Sequence, residues 1–124
     1  MAAGVPFWIL DAIWLGIVSK NFYQKELGSL LRKDINWSPA IIFYLLYPLG
    51  ITIFALVPVK DTNSLQKAAS LGALLGLIAY ATYDLSNFAT LKDWPISVVI
   101  TDIFWGIFVT ATSTAIAYLL LNKF

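Results

Sequence analysis

Three aspartates stand where charge is expensive. Asp11, Asp84 and Asp102 each interrupt an otherwise apolar stretch, in the phrases "LDAIWLG", "TYDLSN" and "TDIFWGI". An aspartate carried to the centre of a membrane helix costs about 2.5–3.5 kcal/mol on insertion scales, and such residues mark proton or ion sites more often than packing sites. Carboxyls in that setting can take up a proton, bind a cation, or act as acid and base. With no histidine or cysteine in the chain, imidazole and thiolate chemistry are excluded. If a metal is bound, an all-oxygen set of Asp11, Asp84 and Asp102 would select a hard divalent cation such as magnesium, calcium or manganese.

Polar and aromatic residues accompany the acids at helical spacing. Tyr80, Asp84 and Asn87 share one helix face, and Tyr83 adjoins the aspartate. Two acids head an Asp-x-x-Trp pattern, Asp11 with Trp14 and Asp102 with Trp105. At that spacing an indole lies one turn from its carboxyl. There it can wall off lipid, donate its N–H, or offer a π-face to a cation.

The elements that must position these groups follow from composition. The chain of 124 residues is 60% hydrophobic and 12% charged, about half the charge of a soluble domain. Apart from those three aspartates, charges keep to the connections and leave four apolar segments, at about 3–19, 39–59, 68–91 and 94–122. A spanning helix takes about 20 residues and must satisfy its own backbone, so the expectation is an all-α protein of four transmembrane helices in one domain. The first segment lacks a basic leader and carries an acid, which favours a retained helix over a signal peptide. Ser38-Pro39 and Asp93-Trp94-Pro95 read as helix starts.

Between the first two segments, residues 20–37 set Tyr23, Leu27, Leu30 and Leu31 at helical spacing against Lys25, Arg32 and Lys33. This predicts an amphipathic helix on the membrane surface, with Trp37 as an interfacial anchor. Five of the eight basic residues fall on the side of that connection, which favours a cytoplasmic location for it. A net charge of +1 gives no reason to expect a nucleic-acid partner. The expected partners are membrane lipids and, since four helices barely line a pore, a second copy of the chain.

Counting inward from that side at 1.5 Å per residue puts Asp11 and Asp102 about 12 Å deep and Asp84 about 10 Å deep. The three carboxyls therefore share one layer, with Tyr47 and Pro48 of the second segment at the same level. The two indoles would bracket that layer from above and below. Pro48 leaves the carbonyl of Tyr44 without its helical donor, and in lipid that oxygen must find another. "GALLG", residues 72–76, presents small residues for close helix packing. The expected site thus comprises Asp11, Asp84, Asp102, Asn87, Tyr47, Tyr80, Tyr83, Trp14 and Trp105.

The strings "LDAIWLGIVSKNFY", "FYLLYPLG", "GALLGLIAYATYDLSNFATLKDWP" and "TDIFWG" resemble one family, the small predicted bacterial membrane proteins called domain of unknown function 2177. The resemblance implies a four-helix protein of the bacterial inner membrane. It implies no activity. The residues carrying it are Asp11, Trp14, Tyr83, Asp84, Asn87, Trp94, Asp102 and Trp105. Three uses suit such a layer: a transporter that binds a proton, cation or polar small ligand, a membrane-embedded lipid-modifying enzyme, or a non-catalytic structural module that binds a lipid headgroup or assembles with a partner protein.

Overall fold

A computed structural model of the chain describes residues 2–28 and 37–123, and all regular structure among them is helical. Helix α1 spans Gly4–Ile13 and continues as a π turn over Trp14–Val18; α2 spans Lys20–Leu27. Helix α3 covers Trp37–Ile51 and runs on through a π turn, Thr52–Leu56, and a 3-10 turn, Val57–Val59. Helices α4, Leu65–Thr90, and α5, Ile96–Lys123, complete the chain.

Among the described residues, three helices are long and apolar enough to cross a membrane: Trp37–Val59, Leu65–Thr90 and Ile96–Leu121. The first apolar helix, Gly4–Val18, is shorter than the four-span expectation requires. At 1.5 Å per residue it reaches at most about 22 Å, against a hydrocarbon core of about 30 Å. The residues pointing away from the bundle are large and apolar, among them Ile42, Leu46, Phe54, Ile78 and Phe104. This is the surface that hydrocarbon, not water, would cover, and it agrees with an integral membrane location.

Helix ends agree with local chemistry in part. Ser64 caps α4 by accepting from the Lys67 N–H at 3.0 Å. Pro95 directly precedes α5 and its carbonyl accepts from Val99 N–H, as the Asp-Trp-Pro start predicts. Ser38 does not cap α3, because the helix already includes Trp37. Of the amphipathic segment, Lys20–Leu27 is helical; Leu30, Leu31, Arg32 and Lys33 lie outside the described residues.

The α4–α5 pair is the spine. Gly72 and Gly76 turn their bare faces toward α5, where Thr110, Thr114 and the Gly106 carbonyl lie against them. Gly106 in turn receives the Tyr80 ring. Hydrocarbon offers no hydrophobic drive for helix association, so this contact is held by van der Waals packing at short range, which only small residues permit. At one end of the bundle, Ala3, Ile51, Ala55, Leu56, Val59, Ala68, Ala117 and Tyr118 close an apolar core. Since the start of α1 meets the end of α5 there, while Tyr23 beyond α1 reaches Asp102 early in α5, the two helices run antiparallel.

Pro48 has the consequence its chemistry requires. The Tyr44 carbonyl that it deprives of a donor accepts instead from the Trp8 indole of α1 at 2.8 Å. The oxygen freed inside α3 thus becomes an α1–α3 tie, and it is not offered to the acids. Further along α3, the Thr52 hydroxyl donates to the Pro48 carbonyl at 2.9 Å, where the helix widens into its π turn.

Two outcomes test this framework. A methyl at Gly76 would run into the α5 backbone, so Gly76→Ala should destabilise the protein by about 1–3 kcal/mol, read as a lower unfolding midpoint in detergent. Trp8→Phe strands the Tyr44 carbonyl, whereas Pro48→Ala restores its helical donor. The loss caused by Trp8→Phe should therefore shrink in the Pro48→Ala background, and equal losses in both backgrounds would refute the tie.

Candidate functional site

At the end of the bundle opposite the apolar core lies a cavity of about 590 Å³. Every element contributes to it: Asp11 and Trp14 from α1, Tyr23 and Leu27 from α2, Tyr44 and Tyr47 from α3, Tyr80 and Tyr83 from α4, and Asp102 and Trp105 from α5. No lysine or arginine is among the described residues lining it. Its walls are mainly aromatic.

The two Asp-x-x-Trp units meet face to face. Trp14 and Trp105 stack at 4.4 Å between ring centroids with planes 8° apart. The expectation that the indoles bracket a carboxylate layer is therefore overturned; the indoles form the middle and the acids flank them. Each aspartate lies one turn from its own tryptophan, and the helices run in opposite directions, so the acids fall on opposite edges of the stack. The Trp105 indole is buried beside Asp11 without completing a hydrogen bond. The Trp14 indole donates to the Tyr23 hydroxyl at 3.2 Å, and that hydroxyl donates to Asp102. Each tryptophan thus points toward the other unit's acid.

Phenols satisfy the outer acids. Tyr44 donates to Asp11, and Tyr23 donates to Asp102. Asp84 stands beside Asp102, within reach of its carboxyl, and accepts from the Trp94 indole at 3.3 Å. It is fully buried, and its Oδ2 has no hydrogen-bond partner. The single layer expected from depth counting is therefore two groups: the Asp84–Asp102 pair, and Asp11 on the far edge of the indoles. Among the described residues no cluster of three or more acids converges as metal ligands. The cause is the axial register of α1 against α5, which segment lengths do not fix to better than a helical turn.

The other expected residues divide. Tyr80 lines the cavity within electrostatic range of both Asp11 and Asp102. Tyr47 lines it too, but its hydroxyl pairs with Thr110 at 2.7 Å and not with a carboxyl. Tyr83 is 58% exposed at the rim, edge-on to Trp94 at 6.0 Å. Asn87 is not part of the lining and lies beside the Tyr83 hydroxyl.

Tyr23, Tyr44 and Trp94 are the contributors that spacing did not single out for the site. Tyr44 precedes Tyr47 by three residues and so shares its face, a signal available in the sequence. Trp94 stands in the Asp-Trp-Pro start of α5. Tyr23 was legible only as part of an apolar stripe with Leu27; the turn at Ser19 swings that stripe over the cavity. There the Trp14 carbonyl accepts from both the Ser19 N–H, at 2.8 Å, and the Ser19 hydroxyl, at 2.7 Å.

Burial, and then the hydrogen bond to Asp102, raise the Tyr23 phenol well above the usual tyrosine range. A phenol whose folded pKa is raised contributes stability that is complete below its unfolded pKa, about 10, and is lost as pH rises through the folded value. The unfolding midpoint should therefore fall more steeply above about pH 10 in the parent protein than in Tyr23→Phe. Parallel pH profiles would place Tyr23 outside the network.

A family model described as "Predicted membrane protein (DUF2177)" matches residues 1–119 of the chain. No curated protein and no solved structure matches it.

Proposed function

Because the chain belongs to the DUF2177 family of predicted membrane proteins, we propose that it is a small four-helix membrane protein whose acidic, aromatic cavity binds a proton or a cation, with transport as its use. Helix α1 serves as the fourth span, its shortfall met by local bilayer thinning and by interfacial residues beyond its ends. The connection holding α2 faces the cytoplasm of a bacterial inner membrane.

One observation carries the reading: a cavity of about 590 Å³ reaches Asp11 and Asp102, and no basic side chain lines it among the described residues. Facing carboxyls need a proton or a cation between them, because two unscreened negative charges in a low dielectric repel strongly. Asp84 and Asp102 are such a pair. The stacked indoles and the tyrosines offer a cation π-faces in addition to carboxylate oxygens. The ligand binds by displacing a proton. The apolar core at the other end leaves the cavity one-ended, so passage across the membrane requires rearrangement of the bundle or pairing with a second copy.

A second reading, lipid binding or lipid chemistry, is favoured by the rim. Leu15, Phe43 and Tyr83 line the cavity yet are 41–58% exposed, on the face that hydrocarbon would cover. A lipid headgroup could enter sideways there without leaving the bilayer.

Proton release from purified protein in weakly buffered detergent, titrated with simple amines and with magnesium, separates these readings. Saturable release with amines, abolished in Asp102→Asn and in Asp84→Asn while both variants remain folded, is the expected result. Unfolding of both variants with no release from the parent would make the acids helix ties. Release only on adding lipid would favour the second reading.

A further inference from the structure

The cavity presents carboxylate at two places. Asp11 and Asp102 both line it, on opposite edges of the Trp14–Trp105 stack. Each acid is three residues from an indole, on antiparallel helices whose indoles lie level. At 1.5 Å per residue the two acids are therefore staggered by about 9 Å along the bundle. Tyr80 lines the same cavity, within electrostatic range of both. Behind Asp102, the wholly buried Asp84 keeps one oxygen without a partner.

Resting on the reading of the cavity as a cation site, we propose that its ligand is a linear cation with two positive ends: a diamine lying along the indole stack, one ammonium on Asp102 and the other on Asp11. A compact monocation compensates one acid and leaves the other without a counter-charge in a low dielectric. Divalent metal ions fit no better, since no set of three acids converges among the described residues. A diamine matches both stations. Its methylene spacer lies against indole and phenol rings, where apolar carbon is favoured and water is not. The acids reach such a ligand from the side, so the nitrogen-to-nitrogen distance follows the stagger of about 9 Å set by the helical rise.

Calorimetric titration of the purified protein in detergent with hexylamine, diaminoethane, diaminohexane and diaminododecane tests this. Diaminohexane should bind about tenfold or more tightly than hexylamine, the gain of one further charge-assisted hydrogen bond. It should also release more protons per molecule bound. Diaminoethane, too short to reach both acids, should show no such advantage. In Asp11→Asn the ratio of diaminohexane to hexylamine affinity should fall to near one. Asp11→Glu, which keeps the charge and lengthens the side chain, should move the optimum toward a shorter diamine. If diamines of every length bind like hexylamine, the two-station arrangement is overturned while the cation site stands. If no amine binds at all, the cation site itself fails and this inference with it.

Discussion

The contact of Trp14 with Trp105 sets the register on which the rest of the site depends. Two flat rings stacked at 4.4 Å hold α1 against α5 at one axial position, and every polar group nearby takes its place from that. An axial slide of one turn, about 5.4 Å, would carry Asp11 past Tyr44 and break the path from Trp14 through Tyr23 to Asp102. In hydrocarbon, where apolar packing between helices gains little over lipid, a large aromatic contact and a few hydrogen bonds are what choose one register among many.

The same medium explains how the interior is built. The α4–α5 interface relies on Gly72, Gly76 and Gly106 with Thr110 and Thr114, because backbone proximity is what yields dispersion energy in a membrane. Large side chains such as Phe54 and Phe104 are left facing outward. Polar groups inside then need partners, and most have them. The Thr114 hydroxyl donates to the Thr110 carbonyl at 2.7 Å, Tyr118 to the Thr62 carbonyl, and Trp8 to the Tyr44 carbonyl. The buried atoms lacking one among the described residues are Asp84 Oδ2, Trp105 Nε1 and Ser113 Oγ. Two of these three lie at the acids.

The far end of the bundle is closed by small and branched apolar residues, while the near end opens beneath α2. Tyr23 and Leu27, four residues apart on that short helix, cover the cavity with one phenol and one alkyl group. A stripe whose spacing suits a membrane surface therefore also suits a roof. The difference between the two is set by the turn at Ser19, where the Trp14 carbonyl accepts two hydrogen bonds and the helix axis is broken.

The sequence by itself determined the class and much of the parts list. Its apolar segments and sparse charge are enough for an all-helical membrane protein, and the glycines of "GALLG" meet α5 as their spacing predicts. The orphaned Tyr44 carbonyl follows from Pro48 alone. Which donor would serve it did not, nor did the pairing of Asp11 with Tyr44 or the descent of Tyr23 onto Asp102. The physical reason lies in what periodicity encodes. Spacing fixes the face and the approximate depth of a residue on its own helix, and these put Asp11, Asp84 and Asp102 on inward faces near one end. It does not encode the axial offset or the rotation between helices. An axial offset of about 9 Å, six residues of helical rise, separates a common carboxylate layer, with indoles on either side, from two separated acids with an indole stack between them. Only the tertiary packing of α1 on α5 decided that.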